Sequence, residues 1–104
     1  MAKRITVCNR KDLPAGRAAA FDVEGRRIAV FHVGESYYAL DDTCTHAGAP
    51  LCEGEVQGNK VVCPWHNAEF ELTTGKALCP PASEGLTTYR VVVQGDDLQV
   101  EVPN

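Results

Sequence analysis

Nowhere among the 104 residues does an apolar run approach the ~18–20 positions that a membrane-spanning helix requires. The opening Met1-Ala2-Lys3-Arg4-Ile5-Thr6-Val7-Cys8 also lacks the ~7–15 apolar residues of a secretory leader, so a cytoplasmic chain is expected. Basic excess is missing too: the formal net charge is −4, which speaks against a nucleic-acid footprint. Repeats, low-complexity tracts and linkers are absent, and a single domain over 1–104 is expected. Apolar residues at 44% and charged residues at 23% are ordinary for a globular chain and exclude wholesale disorder.

Helical signal is scarce. The one candidate, 11–20, is broken by Pro14 and Gly16. Short β-rich segments recur instead, cut by Gly, Asp and Asn turns, and predict strands at 5–8, 17–23, 27–33, 37–40, 56–57, 60–63, 69–72, 87–93 and 98–102. Glu24-Gly25 reads as a turn and Gly58-Asn59 as a tight hairpin signal. The spacing predicts an all-β fold, a small antiparallel β-sandwich or barrel. Two turn-rich stretches, 41–55 and 64–67, interrupt the strand rhythm and read as loops displayed at one end of the scaffold, a usual place for a functional site.

Charge is unevenly placed. Residues 35–71 hold seven acids (Glu35, Asp41, Asp42, Glu53, Glu55, Glu69 and Glu71) against Lys60 alone, whereas 1–34 are net basic. The acidic third brackets the residues with the richest chemistry.

Five cysteines (Cys8, Cys44, Cys52, Cys63, Cys79) are an odd number and do not suit a disulfide framework. In a cytosolic chain such a set points to metal or redox chemistry, so they are read against His32, His46 and His66. Cys44-Thr45-His46 and Cys63-Pro64-Trp65-His66 are two Cys–His pairs, each short enough to reach one centre from one loop. Together they supply two thiolates and two imidazoles. Structural zinc accepts that set, although its usual spacings pair like ligands with like. A nucleophilic cysteine with a histidine base normally draws its partners from distant parts of the sequence, and leaves the duplication unexplained. The third reading is a [2Fe–2S] centre in which two histidines replace two cysteines on one iron.

Here the chain resembles a known family. The C-x-H and C-x-x-H pairs match the Rieske motif, as do Gly48, Gly75 and Cys79-Pro80-Pro81-Ala82, which looks like the family's proline loop. The length is similar to that of a stand-alone Rieske ferredoxin. The resemblance implies a Rieske-like β-sandwich with a cluster-binding subdomain of two loops at about 41–80. It implies one [2Fe–2S] cluster per chain, with Cys44 and Cys63 on the inner iron and His46 and His66 on the outer. No catalytic residue is expected. The implied function is one-electron transfer from a flavin-containing reductase to the terminal oxygenase of a bacterial ring-hydroxylating dioxygenase, by a monomeric carrier. The small subunit of an assimilatory nitrite reductase is the second reading within electron transfer, and a zinc-stabilised interaction module is the rival from another class.

Two ferric ions, two sulfides and two thiolates sum to zero, so an electron enters this cluster more easily than one bearing four thiolates. The high-potential members have two further cysteines in the loops, and Ser and Tyr hydroxyls on the cluster sulfurs. This chain has Ala49, Trp65, Ala68 and Phe70 at those places, so it resembles the low-potential ferredoxins. Cys8, Cys52 and Cys79 read as small apolar thiols and His32 as structural. Trp65 reads equally as apolar packing or as a shield for the cluster.

Overall fold

The computed structural model describes residues 2–42, 51–63, 69–79 and 87–103. Among the described residues, eleven strands form three antiparallel sheets. The first contains β1 (Ala2–Asn9), β10 (Val91–Gln94) and β11 (Asp97–Pro103), in the order β1-β11-β10. The second contains β2 (Ala18–Val23), β3 (Arg26–Val33), β4 (Ser36–Asp41) and β9 (Thr88–Tyr89), in that order. The third contains β5 (Glu55–Gln57), β6 (Lys60–Val62), β7 (Glu69–Glu71) and β8 (Ala77–Cys79), again in sequence order.

Strand periodicity explains how these sheets stack. Ile28, Ala29, Val30 and Phe31 are all fully buried, an unbroken apolar run in β3. Successive side chains of a strand point to opposite faces, so such a run needs a cover on each side. Ala29 and Phe31, with Leu40 of β4, pack against Val61, Cys63, Phe70 and Leu72 from the third sheet's region. Ile28 and Val30, with Ala39 of β4, pack against Leu98, Val100 and Val102 of β11. The second sheet is therefore the shared middle layer, with one core on each face.

Turn chemistry follows the local signals. Val23 pairs with Arg26 around Glu24 and Gly25, whose φ angles are +51° and +82°. Positive φ at both central residues is the hairpin turn that matches strand twist, and glycine accepts it without strain. Gln57 pairs with Lys60 around Gly58, with φ +62°, as the Gly58-Asn59 signal predicts.

The helical candidate reduces to a 3₁₀ turn, Arg10–Asp12, in which Asn9 and Asp12 make a reciprocal cap. A second 3₁₀ turn, Leu51–Glu53, and strand β8 are additions to the sequence reading. One predicted strand divides. In 87–93 the chain pairs first with β4, through Ala39↔Tyr89 and Leu40↔Thr88, and then with β11 from Val91 onward. Arg90 marks the change of sheet, its carbonyl accepting from the Glu101 N–H at 2.9 Å. β propensity is continuous through this segment, but its hydrogen-bond partner is not.

Candidate metal centre

Four residues were singled out as ligands. Cys63 is described; Cys44, His46 and His66 lie outside the described residues, as do Gly48, Ala49, Trp65, Ala68 and the 80–82 motif. Among the described residues, no group of three or more His, Cys, Asp or Glu side chains gathers as a metal site. What the structure provides is the framing of the two stretches that contain the expected ligands.

Cys63 follows β6 directly and is 1% exposed, packed in the same core as Phe31, Val61, Phe70 and Leu72. The last pair of the β6–β7 ladder, Val62↔Glu69, brackets 64–68, and Lys60 Nζ donates to Glu69 Oε1 across the same ladder at 2.7 Å. Coordination to a metal deprotonates a thiol outright, so a buried cysteine can serve as a sulfur ligand. The buried seat of Cys63, immediately before residues 64–68, is compatible with a metal-bound sulfur.

The stretch from 43 to 51 is framed by Asp42 and Cys52. The Cys52 N–H donates to Asp42 Oδ1 at 2.9 Å, and Arg27 Nε donates to Asp42 Oδ2 at 3.0 Å. The Asp42 N–H donates in turn to the Arg27 carbonyl at 3.0 Å. Asp42 is 1% exposed, yet both carboxylate oxygens are satisfied. Sequence reasoning counted Asp42 only as one acid among seven; its position two residues before Cys44 was the available signal.

Burial, and then the nearby Asp42 carboxylate, pushes the Cys52 thiol up to about 11, which leaves little thiolate near neutrality. Burial and Asp12 likewise raise the Cys8 thiol. Both shifts disfavour the thiolate, the form that reacts and binds metal. The His32 ring lies 2.7 Å from the Leu13 carbonyl through Nδ1 and stacks on Tyr37 at a centroid distance of 4.1 Å. That is a structural role, with partners the sequence did not reveal.

The acidic third looks different in three dimensions. Asp42 is buried, Asp41 accepts from the Tyr89 hydroxyl, Glu69 pairs with Lys60, and Glu71 accepts from the Thr73 and Thr74 hydroxyls. Glu35, Glu53 and Glu55 are the exposed acids of the seven. Glu53 and Glu55 closely follow the stretch that contains Cys44 and His46.

Residues 3–90 match the family model of the Rieske [2Fe-2S] domain. The chain is 45% identical over 101 residues to the 3-phenylpropionate/cinnamic acid dioxygenase ferredoxin subunit of Shigella boydii serotype 4 (strain Sb227), covering 96% of this chain and 94% of that protein. A chain from the complex of reduced oxygenase and oxidised ferredoxin in carbazole 1,9a-dioxygenase superposes with a TM-score of 0.87 at 33% identity, covering 93% and 91% of the two chains. A putative nitrite reductase small subunit superposes with a TM-score of 0.81 at 26% identity, covering 94% and 97%. The match decides the choice that ligand spacing left open between zinc and iron–sulfur. The chain belongs to the Rieske [2Fe–2S] family, as an electron-transfer ferredoxin of the dioxygenase type, with a Rieske cluster as its cofactor and no catalytic role of its own.

Proposed function

We propose that Cys44 and Cys63 hold the inner iron through sulfur and His46 and His66 the outer iron through a ring nitrogen, within a cluster-binding subdomain of about 41–80. On this reading the chain is a single domain over 1–104 and a monomeric, cytoplasmic carrier. It takes single electrons from a flavin-containing reductase and delivers them to a terminal oxygenase. The observation that carries the reading is the end-to-end 45% identity to a dioxygenase ferredoxin subunit. The carbazole complex of oxygenase with ferredoxin supports the second half of the route. When bound, the cluster supplies a one-electron couple that imidazole ligation sets higher than all-thiolate ligation would.

The chain's own residues do the rest. Phe31, Val61, Phe70 and Leu72 exclude water from Cys63, while the β6–β7 pairing and the Asp42–Cys52 bond hold the ends of the two ligand-bearing stretches. The small-subunit role in nitrite reduction keeps the support of a shared fold at 26% identity.

The test is stopped-flow oxidation of the reduced protein. Rapid turnover with a dioxygenase terminal oxygenase, and none with a nitrite reductase large subunit, is expected; the reverse pattern overturns the assignment. Cys44→Ser, His46→Ala, Cys63→Ser and His66→Ala should each abolish the visible absorbance of the cluster, and retention in any of them removes that residue from the ligand set.

A further inference from the structure

We propose that Asp42 is a positioning residue for the cluster, clamping the ends of the 43–51 stretch to the middle sheet so that Cys44 and His46 are held in place. The inference rests on the ligand assignment above. Asp42 is the one charged side chain classed as buried among the described residues, and burial of a carboxylate is unfavourable unless its oxygens are fully engaged. Both are. Oδ2 accepts from Arg27 Nε and Oδ1 from the Cys52 N–H, while the Asp42 N–H reaches the Arg27 carbonyl.

These bonds have a specific geometry. Arg27 lies in β3, in the middle layer; Asp42 follows β4; Cys52 lies beyond the ligand-bearing stretch. One carboxylate therefore joins the entry of that stretch, its exit and the sheet beneath. Joining the two ends of a loop lowers its closure entropy, and ligand placement in a metal site depends on such supporting contacts. An amide cannot substitute. Two donors converge on Asp42, and an asparagine offers one oxygen while its NH₂ meets the second donor head-on. The neighbouring Asp41 serves as an internal control, because it binds Tyr89 of β9 and does not span 43–51.

The experiment compares Asp42→Asn, Arg27→Gln and Tyr89→Phe with the wild-type holoprotein. It measures midpoint potential by voltammetry, the g-values of the reduced cluster by EPR, chelator-driven bleaching and the unfolding midpoint. Asp42→Asn removes a negative charge and should favour the reduced state about threefold, a rise of about 28 mV at ~59 mV per tenfold. Arg27→Gln removes a positive charge and should shift the potential downward. Both should alter the g-values and bleach about tenfold faster, whereas Tyr89→Phe should do neither at comparable loss of stability. Opposite potential shifts with a shared gain in bleaching separate positioning from charge alone. Unchanged g-values, with bleaching no faster than in Tyr89→Phe, would overturn the proposal. If Asp42→Asn does not accumulate with its cluster, Arg27→Gln decides alone, since the Arg27 side chain is 55% exposed and the fold does not depend on burying it. A Cys44→Ser protein that keeps its cluster would refute the ligand assignment separately.

Discussion

The Tyr89 hydroxyl donates to Asp41 Oδ1 across 2.6 Å, joining β9 to the end of β4. The Asp41 N–H also donates to the Thr87 carbonyl at 3.0 Å, so backbone and side chain secure the same junction. Tyr89→Phe should destabilise the protein by about 1–2 kcal/mol, toward the lower end of hydrogen bonds to charged groups. The effect should be visible as a lower thermal midpoint. Burial first, and then the Asp41 bond, raises the phenol above its usual 10. A raised folded-state value means that this contribution is complete below pH ~10 and is lost as pH climbs through the folded value. Urea titrations from pH 8 upward should therefore show a shallower alkaline decline in Tyr89→Phe than in wild type.

Phe31 faces the core shared with Cys63, while Ile28 faces the opposite core. Both are fully buried, and Phe31→Ala should destabilise by about 3–5 kcal/mol and Ile28→Ala by about 2–5 kcal/mol. Their effects on the cluster should differ. In parallel melts followed by far-UV circular dichroism and visible absorbance, Phe31→Ala should bleach before it unfolds and Ile28→Ala should lose both signals together. Coincident transitions in both variants would show that the two cores do not act separately on the site.

Docking should be steered by charge, and the fold narrows the responsible groups to the exposed Glu35, Glu53 and Glu55. Glu53→Gln with Glu55→Gln should slow association with the oxygenase roughly two- to fivefold at low salt. Wild-type rates should fall between ~10 mM and ~150 mM salt, as the Debye length contracts from ~30 Å to ~8 Å, and the double variant should respond less. A flat salt profile for the wild type would argue against electrostatic docking.

Ala68→Ser should raise the potential by roughly 40 mV, taking ~1 kcal/mol of differential hydrogen bonding to the reduced cluster and ~59 mV per tenfold. Phe70→Tyr should act in the same direction, under a stricter condition. Phe70 is fully buried in the core that also holds Cys63, so its new hydroxyl must find an acceptor there or remain unsatisfied. A raised potential with little change in melting means a cluster sulfur was reached. An unchanged potential with a loss of ~1–3 kcal/mol means it was not, and places the cause of a low potential elsewhere.

The two Cys–His pairs, the hairpins at Gly25 and Gly58 and the β alternation were legible in the sequence, because ligand type, turn conformation and strand period are properties of neighbouring residues. Of the four proposed ligands, the structure locates Cys63 in a buried seat; the other three lie outside the described residues. The rest depended on contacts that local pattern does not encode. Thr88–Tyr89 and Val91–Gln94 belong to different sheets only because β4 and β11 offer different edges. Asp42 became a clamp rather than a surface charge because Arg27, fifteen positions before it, and Cys52, ten after, converge on one carboxylate. Local chemistry supplied the ligand types and the turns; desolvation and long-range pairing decided which charges are buried and which remain on the surface.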